Sequence, residues 1–411
     1  MLKQKSSNQV GQLLLRISHL CNIPTWKRPW SYWDFDPPAL QRYFQTRLNQ
    51  MRGLRLCRPI LRSAQRSSQR AITGTARSMS QREDSIPHEL RTAAEPRQNH
   101  LYPVRLSQVD QVNPSIRLLR LALPDSNSLA YTHQDDKKQP FIFLPGQWLD
   151  VHIPSIAAAG GFTITSTPAD AQLLSSLKSP DPLLGAETSA PASQGKPYVE
   201  LAVQNSPSNP PAAWLWRPKD EILGKEINIR VGGSFVWPPT GVDIQKVKNV
   251  VFIAGGVGIN PLISILTHLH QTQSSQPLGV HFLYTSRLPQ GHESASLDTV
   301  LDQVLFLPRL RQIIRSQALS RRLHISLDLF LTNSISDLSV SSSPTDLKIH
   351  SRRINENDLD AAVVRGDGKL DPQETVAYIC GPPQMTDEIV ESLKRVLGVN
   401  GDKRVFFEKW W

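Results

Sequence analysis

From Leu101 to about Pro239, apolar and polar residues alternate in short runs separated by turns, the pattern of half-buried β-strands. Val104-Arg105-Leu106 leads to Ile116 through Leu121, then Phe141 to Leu144, Trp148 to Ile153, Phe162 to Thr165, Tyr198 to Val203 and Glu226 to Val231. Six or more such strands with almost no helical periodicity predict a closed or nearly closed antiparallel β-barrel over residues 100–240. The Ser/Pro/Ala-rich stretch 170–195 reads as an inserted surface loop. After Asp243 the grammar changes. The apolar run Val250 to Ala254 meets a glycine turn, and Leu262, Ile263, Ile265, Leu266 and Leu269 then recur on one helical face. Further apolar runs at Val280 to Tyr284, His324 to Phe330 and Val376 to Cys380 complete the alternation of an α/β domain with a parallel sheet over residues 244–411.

Charge divides the chain a second way. Residues 1–80 carry 14 Lys or Arg against Asp34 and Asp36 alone, whereas the remainder holds 32 basic against 34 acidic side chains, so the net +10 belongs to the leader. A near-neutral body offers no electrostatic footprint for a phosphate backbone, which argues against a nucleic-acid partner. From Gln41 to Ser80 arginines recur every few positions with no acidic residue, the composition of a mitochondrial presequence, so the expected location is the mitochondrial matrix. Met51 opens a stretch that reads as a complete presequence by itself, and translation starting there is the corresponding expectation. Residues 81–99 read as a polar linker, with order starting near Leu101. No run approaches the roughly 18 apolar residues of a spanning helix. Three cysteines, two of them in the leader, exclude a disulfide scaffold and a self-contained four-cysteine iron–sulfur cluster, and no metal site is expected.

The candidate chemistry sits at two glycine turns. Gly256, Val257, Gly258, Ile259, Asn260 and Pro261 follow a buried-type strand and open a helix. Residues without side chains let a diphosphate approach the backbone, and a helix N-terminus favours negative charge. Pro261 stands where a full dinucleotide fingerprint has its last glycine, so the ordinary fingerprint is incomplete here and its support is weak. A second turn, Cys380-Gly381-Pro382-Pro383-Gln384-Met385, ends the last long strand. In a parallel sheet both turns emerge at the carboxyl edge, where ligands bind. Cys380 has no obvious disulfide partner, while a small polarizable side chain there would be permissive beside a reacting carbon. Simple burial is the competing reading.

Taken in order, Pro145-Gly146-Gln147-Trp148, Gly160 to Pro168, Ala254 to Pro261, Leu283 to Arg287, Cys380 to Met385 and the closing Phe407-Glu408-Lys409-Trp410-Trp411 resemble the ferredoxin–NADP reductase superfamily, in its branch of mitochondrial oxidoreductase NAD-binding domain-containing proteins. The resemblance covers about residues 100–411. It implies an FAD-binding barrel followed by a domain that holds NAD or NADP as co-substrate, with hydride transfer at flavin N5. It places Phe162, Thr163, Ile164, Thr165 and Ser166 against the isoalloxazine, with the Thr163 hydroxyl near N5 and Cys380 near the nicotinamide C4. Gly381, Pro382 and Met385 line the same cleft, and Arg287 is positioned for the adenosine ribose or its 2′-phosphate. A terminal aromatic residue is expected to cover the flavin, Trp411 first and Trp410 as runner-up. Gly160 stands where relatives carry an arginine that pairs with the flavin diphosphate, and Asn209 to Trp214 replaces their glycine- and serine-containing diphosphate loop. The expected function is an NAD(P)H-dependent flavoprotein oxidoreductase delivering electrons to a heme protein, an iron–sulfur protein or a quinone. The alternative is a reductase-like assembly or regulatory protein that keeps the fold with weakened turnover.

Overall fold

The computed structural model describes residues 87–410, except 125–139, 173–195, 273–275, 289–296, 321, 334–346, 366–367, 370 and 399–400. The leader, the Met51 start and Trp411 therefore lie outside the described residues. The first half is one antiparallel sheet. Strands β1 (Tyr102–Asn113), β2 (Ile116–Ala122), β3 (Trp148–His152), β4 (Gly160–Thr163), β5 (Tyr198–Gln204) and β6 (Glu226–Gly232) run in the order β4-β3-β6-β1-β2-β5. Alternation does what it predicts: Tyr102, Val104 and Leu106 of β1 and Ile227, Ile229 and Val231 of β6 enter one apolar core. The edge strands meet just beyond β4, at a bridge between Ile164 and Leu201. The expected barrel is thus a sheet whose two edges are joined at one described bridge rather than along paired strands.

The polar stretch read as a linker is part of this half. Helix α1 (His88–Arg91) opens the described chain, and Arg97 bridges to Gly232. Ion pairing to a buried carboxylate supplies the order that apolar periodicity does not. Asp150 of β3 has no exposed surface and takes Arg97 Nε at 2.9 Å and Arg230 Nη2 at 2.7 Å, with His88 Nε2 3.2 Å away. Burial alone would raise this carboxyl. Hydrogen bonds from His88, Arg230 and Arg97 overcome that effect and hold it well below the usual carboxylate range.

The second half is a parallel sheet, with β7 (Asn249–Gly255), β8 (Leu278–Ser286), β9 (Leu323–Leu331), β10 (Lys348–His350), β13 (Thr375–Gly381) and β14 (Val405–Lys409) in the order β10-β9-β8-β7-β13-β14; β11 (Val364–Arg365) and β12 (Gly368–Lys369) form a separate hairpin. Along β7, Val250, Phe252 and Ala254 enter one core while Val251 and Ile253 enter another, because helices cover both faces. Two short helices of the first half, α2 (Pro210–Leu215) and α3 (Lys219–Ile222), precede β6; the helix after β7 is α4 (Ile259–Gln271), whose Leu262, Ile263, Ile265 and Leu266 are fully buried.

The halves are bonded to each other. Asn260 Nδ2 donates to Ala202 O at 3.1 Å, Ser264 Oγ to Ser166 O at 2.7 Å, and Tyr378 Oη to Val236 O at 2.8 Å. The start of α4 is thereby fixed against the segment that follows β4.

Candidate active site

The two glycine turns interlock. A Cβ on Gly258 would overlap the Cys380 carbonyl, and one on Gly255 would lie 2.7 Å from the Met385 sulfur and 2.8 Å from Pro382 Cδ. The turns after β7 and β13 therefore approach backbone to backbone at one sheet edge, as their glycines predict. Gly256 adopts φ +55°, a conformation natural to glycine, and among the described residues the atom within 4 Å of its missing side chain is Trp410 Cζ2, at 3.6 Å. Trp410 ties the turns together: its backbone N donates to Gly381 O at 3.2 Å and its Nε1 to Gly255 O at 3.0 Å. Trp410 is the runner-up aromatic of the sequence; Trp411, the first choice, lies outside the described residues.

Cys380 faces Ala254 on one side of β13 and Glu408 on the other. It is 2% exposed, and burial first, then the Glu408 charge, pushes its thiol well above the usual range. It is a neutral packing group, so any contribution to chemistry is steric. Glu408 itself is pushed up to about 8, by burial first and then by the charge of Glu95. Glu95 accepts from Ser234 N at 3.0 Å and Ser234 Oγ at 2.6 Å. Sequence reasoning passed over Glu408; the available signal was a lone acid directly after the short apolar run from Val405 to Phe407.

The β4 segment divides. Phe162 and Thr163 are half-buried, and Thr163 pairs with Trp148. Ile164, Thr165 and Ser166 are buried. Thr165 Oγ1 donates to Glu200 Oε1 at 3.0 Å, and Ser166 Oγ accepts from Glu200 N at 3.0 Å. Both hydroxyls thus bond to Glu200 within the first half. Glu200 also takes Arg309 Nη2 at 2.9 Å, which links the two halves. Arg287 is exposed directly after β8.

A nucleotide fits the second half. Val257 is half-buried beside Gly256, while Ile259, Asn260 and Pro261 are buried at the start of α4. The buried Oδ1 of Asn260 has no hydrogen-bond partner among the described residues. At Gly160, where the resemblance implies an arginine in relatives, a Cβ would lie 2.6 Å from both Phe162 Cε2 and Pro211 Cβ, so a larger side chain there would require Phe162 and Pro211 to shift. For metals, Glu89, Asp150 and His152 offer ligand atoms within 4.8 Å of one another, but the two guanidiniums on Asp150 oppose a further cation.

An antiparallel sheet bonded to a parallel sheet, with paired glycine turns at the carboxyl edge of the latter, is the architecture of a nucleotide-binding protein. The model of the ferric reductase NAD binding domain matches residues 247–394. Oxidoreductase NAD-binding domain-containing protein 1 of Xenopus tropicalis is 30% identical over 348 residues, 83% of this chain and 89% of that protein. Its Homo sapiens counterpart is 29% identical over 327 residues, 79% of this chain and 84% of that one. The chain belongs to the family of oxidoreductase NAD-binding domain-containing protein 1. Among solved structures, a ferredoxin NADP+ reductase from Neisseria gonorrhoeae with bound FAD and NADP aligns over 76% of this chain and all of that one, with a TM-score of 0.48 and 15% identity. Among the described residues, no helix is long and apolar enough to cross a membrane.

Proposed function

We propose that the protein oxidises NADH or NADPH in mitochondria by passing a hydride to a flavin held against β4, and from it to a further acceptor. The observation that carries this reading is the interlocked pair of turns, with Gly256 open beneath Trp410 and α4 bonded to the segment after β4. Flavin and nicotinamide rings, when bound, supply the redox chemistry. The chain supplies orientation and exclusion of water. Gly256 lets the nucleotide approach the backbone, Gly258 lets the two turns lie against each other, and Arg287 stands ready for the adenosine ribose or its phosphate. Trp410 covers the turn until the nucleotide displaces it. Glu408 holds a proton beside Cys380 at neutral pH. Phe162 and Thr163 are the flavin-facing residues. The basic leader supports the location in the matrix.

A second reading, a reductase-like assembly or regulatory protein without flavin turnover, draws on the packing of Phe162 and Pro211 over Gly160. An anaerobic spectrum separates the two. Flavin mixed with the full chain should bleach on addition of NADH or NADPH; a flavin spectrum unchanged by both nucleotides sinks the first reading.

A further inference from the structure

The two halves also meet at a buried carboxylate on β5. Glu200 is 3% exposed, and its backbone and side chain grip the segment that continues β4. Its O accepts from Thr165 N at 2.8 Å, its N donates to Ser166 Oγ at 3.0 Å, and its Oε1 accepts from Thr165 Oγ1 at 3.0 Å. The same carboxylate accepts from Arg309 Nη2, at 2.9 Å on Oε1 and 3.2 Å on Oε2, while Arg120 of β2 lies 3.7 Å from Oε2. Arg309 belongs to the second half, in the helix Leu307–Ser320, and the bend before that helix is held from both sides. Tyr284 Oη of β8 donates to Leu305 O at 3.2 Å, and Asn113 Nδ2 at the end of β1 donates to Gln303 O at 3.0 Å. Phe306, at the bend, has φ +59°, a conformation that a bulky residue keeps only where its surroundings enforce it. Its ring lies under the Arg309 guanidinium, 4.6 Å from Cζ, so Arg309 is aimed at Glu200 by packing within its own half. The segment that Glu200 grips is held by α4 as well, through the 2.7 Å bond from Ser264 Oγ to Ser166 O.

We propose that Glu200 and Arg309 are a positioning pair, which sets the separation between the strand that faces the flavin and the half that holds the nicotinamide nucleotide. This rests on the reading of the site given above. In the step that the pair serves, the C4–H bond of dihydronicotinamide breaks, and hydrogen with its electron pair forms the N–H bond at flavin N5. The nicotinamide is oxidised, and the reduced flavin takes one proton from solvent. The pair acts through Thr165 and Ser166 and not on the reacting atoms. Hydride passes only when donor carbon and acceptor nitrogen are in near contact, so a displacement of about 1 Å between the halves costs up to about a hundredfold in rate. Each half keeps its own ligand contacts, so loss of the pair shows in the rate and not in either affinity.

The test compares the full chain with Arg309→Met, Arg309→Lys and Ser264→Ala. The Arg309 side chain is 30% exposed, and Arg309→Met keeps its apolar stem and leaves Glu200 beside Arg120, so the fold should stand. Flavin bleaching is followed anaerobically with FAD or FMN at saturating NADH or NADPH. Nucleotide affinity is read by isothermal titration, flavin affinity by fluorescence quenching, and the fold by thermal unfolding. The expected result for Arg309→Met is bleaching slowed about ten- to a hundredfold, with both dissociation constants within about threefold of wild type. Arg309→Lys, which keeps the charge, should recover the rate to within about threefold of wild type. Ser264→Ala cuts the other tie to the same segment and should give the same split between rate and affinity. A wild-type rate in Arg309→Met or Ser264→Ala, a slowing matched by weaker binding of either ligand, or Arg309→Lys as slow as Arg309→Met overturns the proposal and leaves the oxidoreductase reading standing. If wild type bleaches neither flavin with either nucleotide, that reading falls and the proposal with it.

Discussion

Trp410 lies against the turn proposed to hold the nucleotide, so its removal should tighten nucleotide binding. The indole makes one hydrogen bond, Nε1 to Gly255 O at 3.0 Å, and lays its ring 3.6 Å from the open side of Gly256. A net hydrogen bond is worth about 1 kcal/mol. Half-burial of an indole against a turn adds about 1–2 kcal/mol. If the ring must leave before a nucleotide enters, Trp410→Ala removes about 2–3 kcal/mol of competition, or about 30- to 150-fold in affinity. Trp410→Phe keeps an aromatic cover and loses the bond, which gives about fivefold. Isothermal titration of NAD+ and NADP+ into the full chain reads both values, with thermal unfolding followed in parallel to check the fold. Unchanged or weakened binding in Trp410→Ala would refute the displacement argument.

Three further outcomes follow from the geometry. Gly258→Ala drives a Cβ into the Cys380 carbonyl, where backbone on both sides cannot yield, and should cost about 3 kcal/mol or more of stability and abolish nucleotide binding, read by thermal unfolding and titration. Asp150→Asn leaves Arg97 and Arg230 without their buried counter-charge, a loss of about 3–5 kcal/mol at pH 7. Because the folded carboxyl is depressed, its stabilisation is present above the unfolded value of about 4 and fades as pH falls below it, so the gap between wild type and variant should narrow in acid. Glu408, raised to about 8, keeps its proton in the folded state while the unfolded chain ionises, so its contribution declines as pH rises from its ordinary 4.5 toward 8. Glu408→Gln should therefore gain on wild type by about 1–2 kcal/mol between pH 5 and pH 8.5, after allowing for solvent contact of the side chain, and a pH-independent difference in melting temperature would count against it.

What the sequence made legible was whatever local periodicity and missing side chains encode. Val250 to Ala254, Gly256 and the apolar face of α4 identify strand, turn and helix within a few residues, and the two turns do meet. Residues whose roles depend on distant partners were read less well. Thr165 and Ser166 stand in a short strand-like run that names no partner, and their hydroxyls bond to Glu200, 34 or 35 positions away. Residues 87–99 look like a linker because they lack apolar periodicity, and their order comes from ion pairs to Asp150 in β3. Glu408 acquires its character only when β14 is laid beside β13 and Cys380. Trp410 was weighed against its neighbour because adjacent tryptophans differ only in which one the last strand delivers to the turn.

The most direct measurement of the central claim uses NADH or NADPH deuterated at C4, mixed anaerobically with flavin and the full chain, with flavin absorbance followed in time. Bleaching that is slowed by deuterium, and that is lost in Gly258→Ala, is the result expected of a hydride passed across this cleft. Nucleotide that stays reduced beside a flavin that stays oxidised would contradict it.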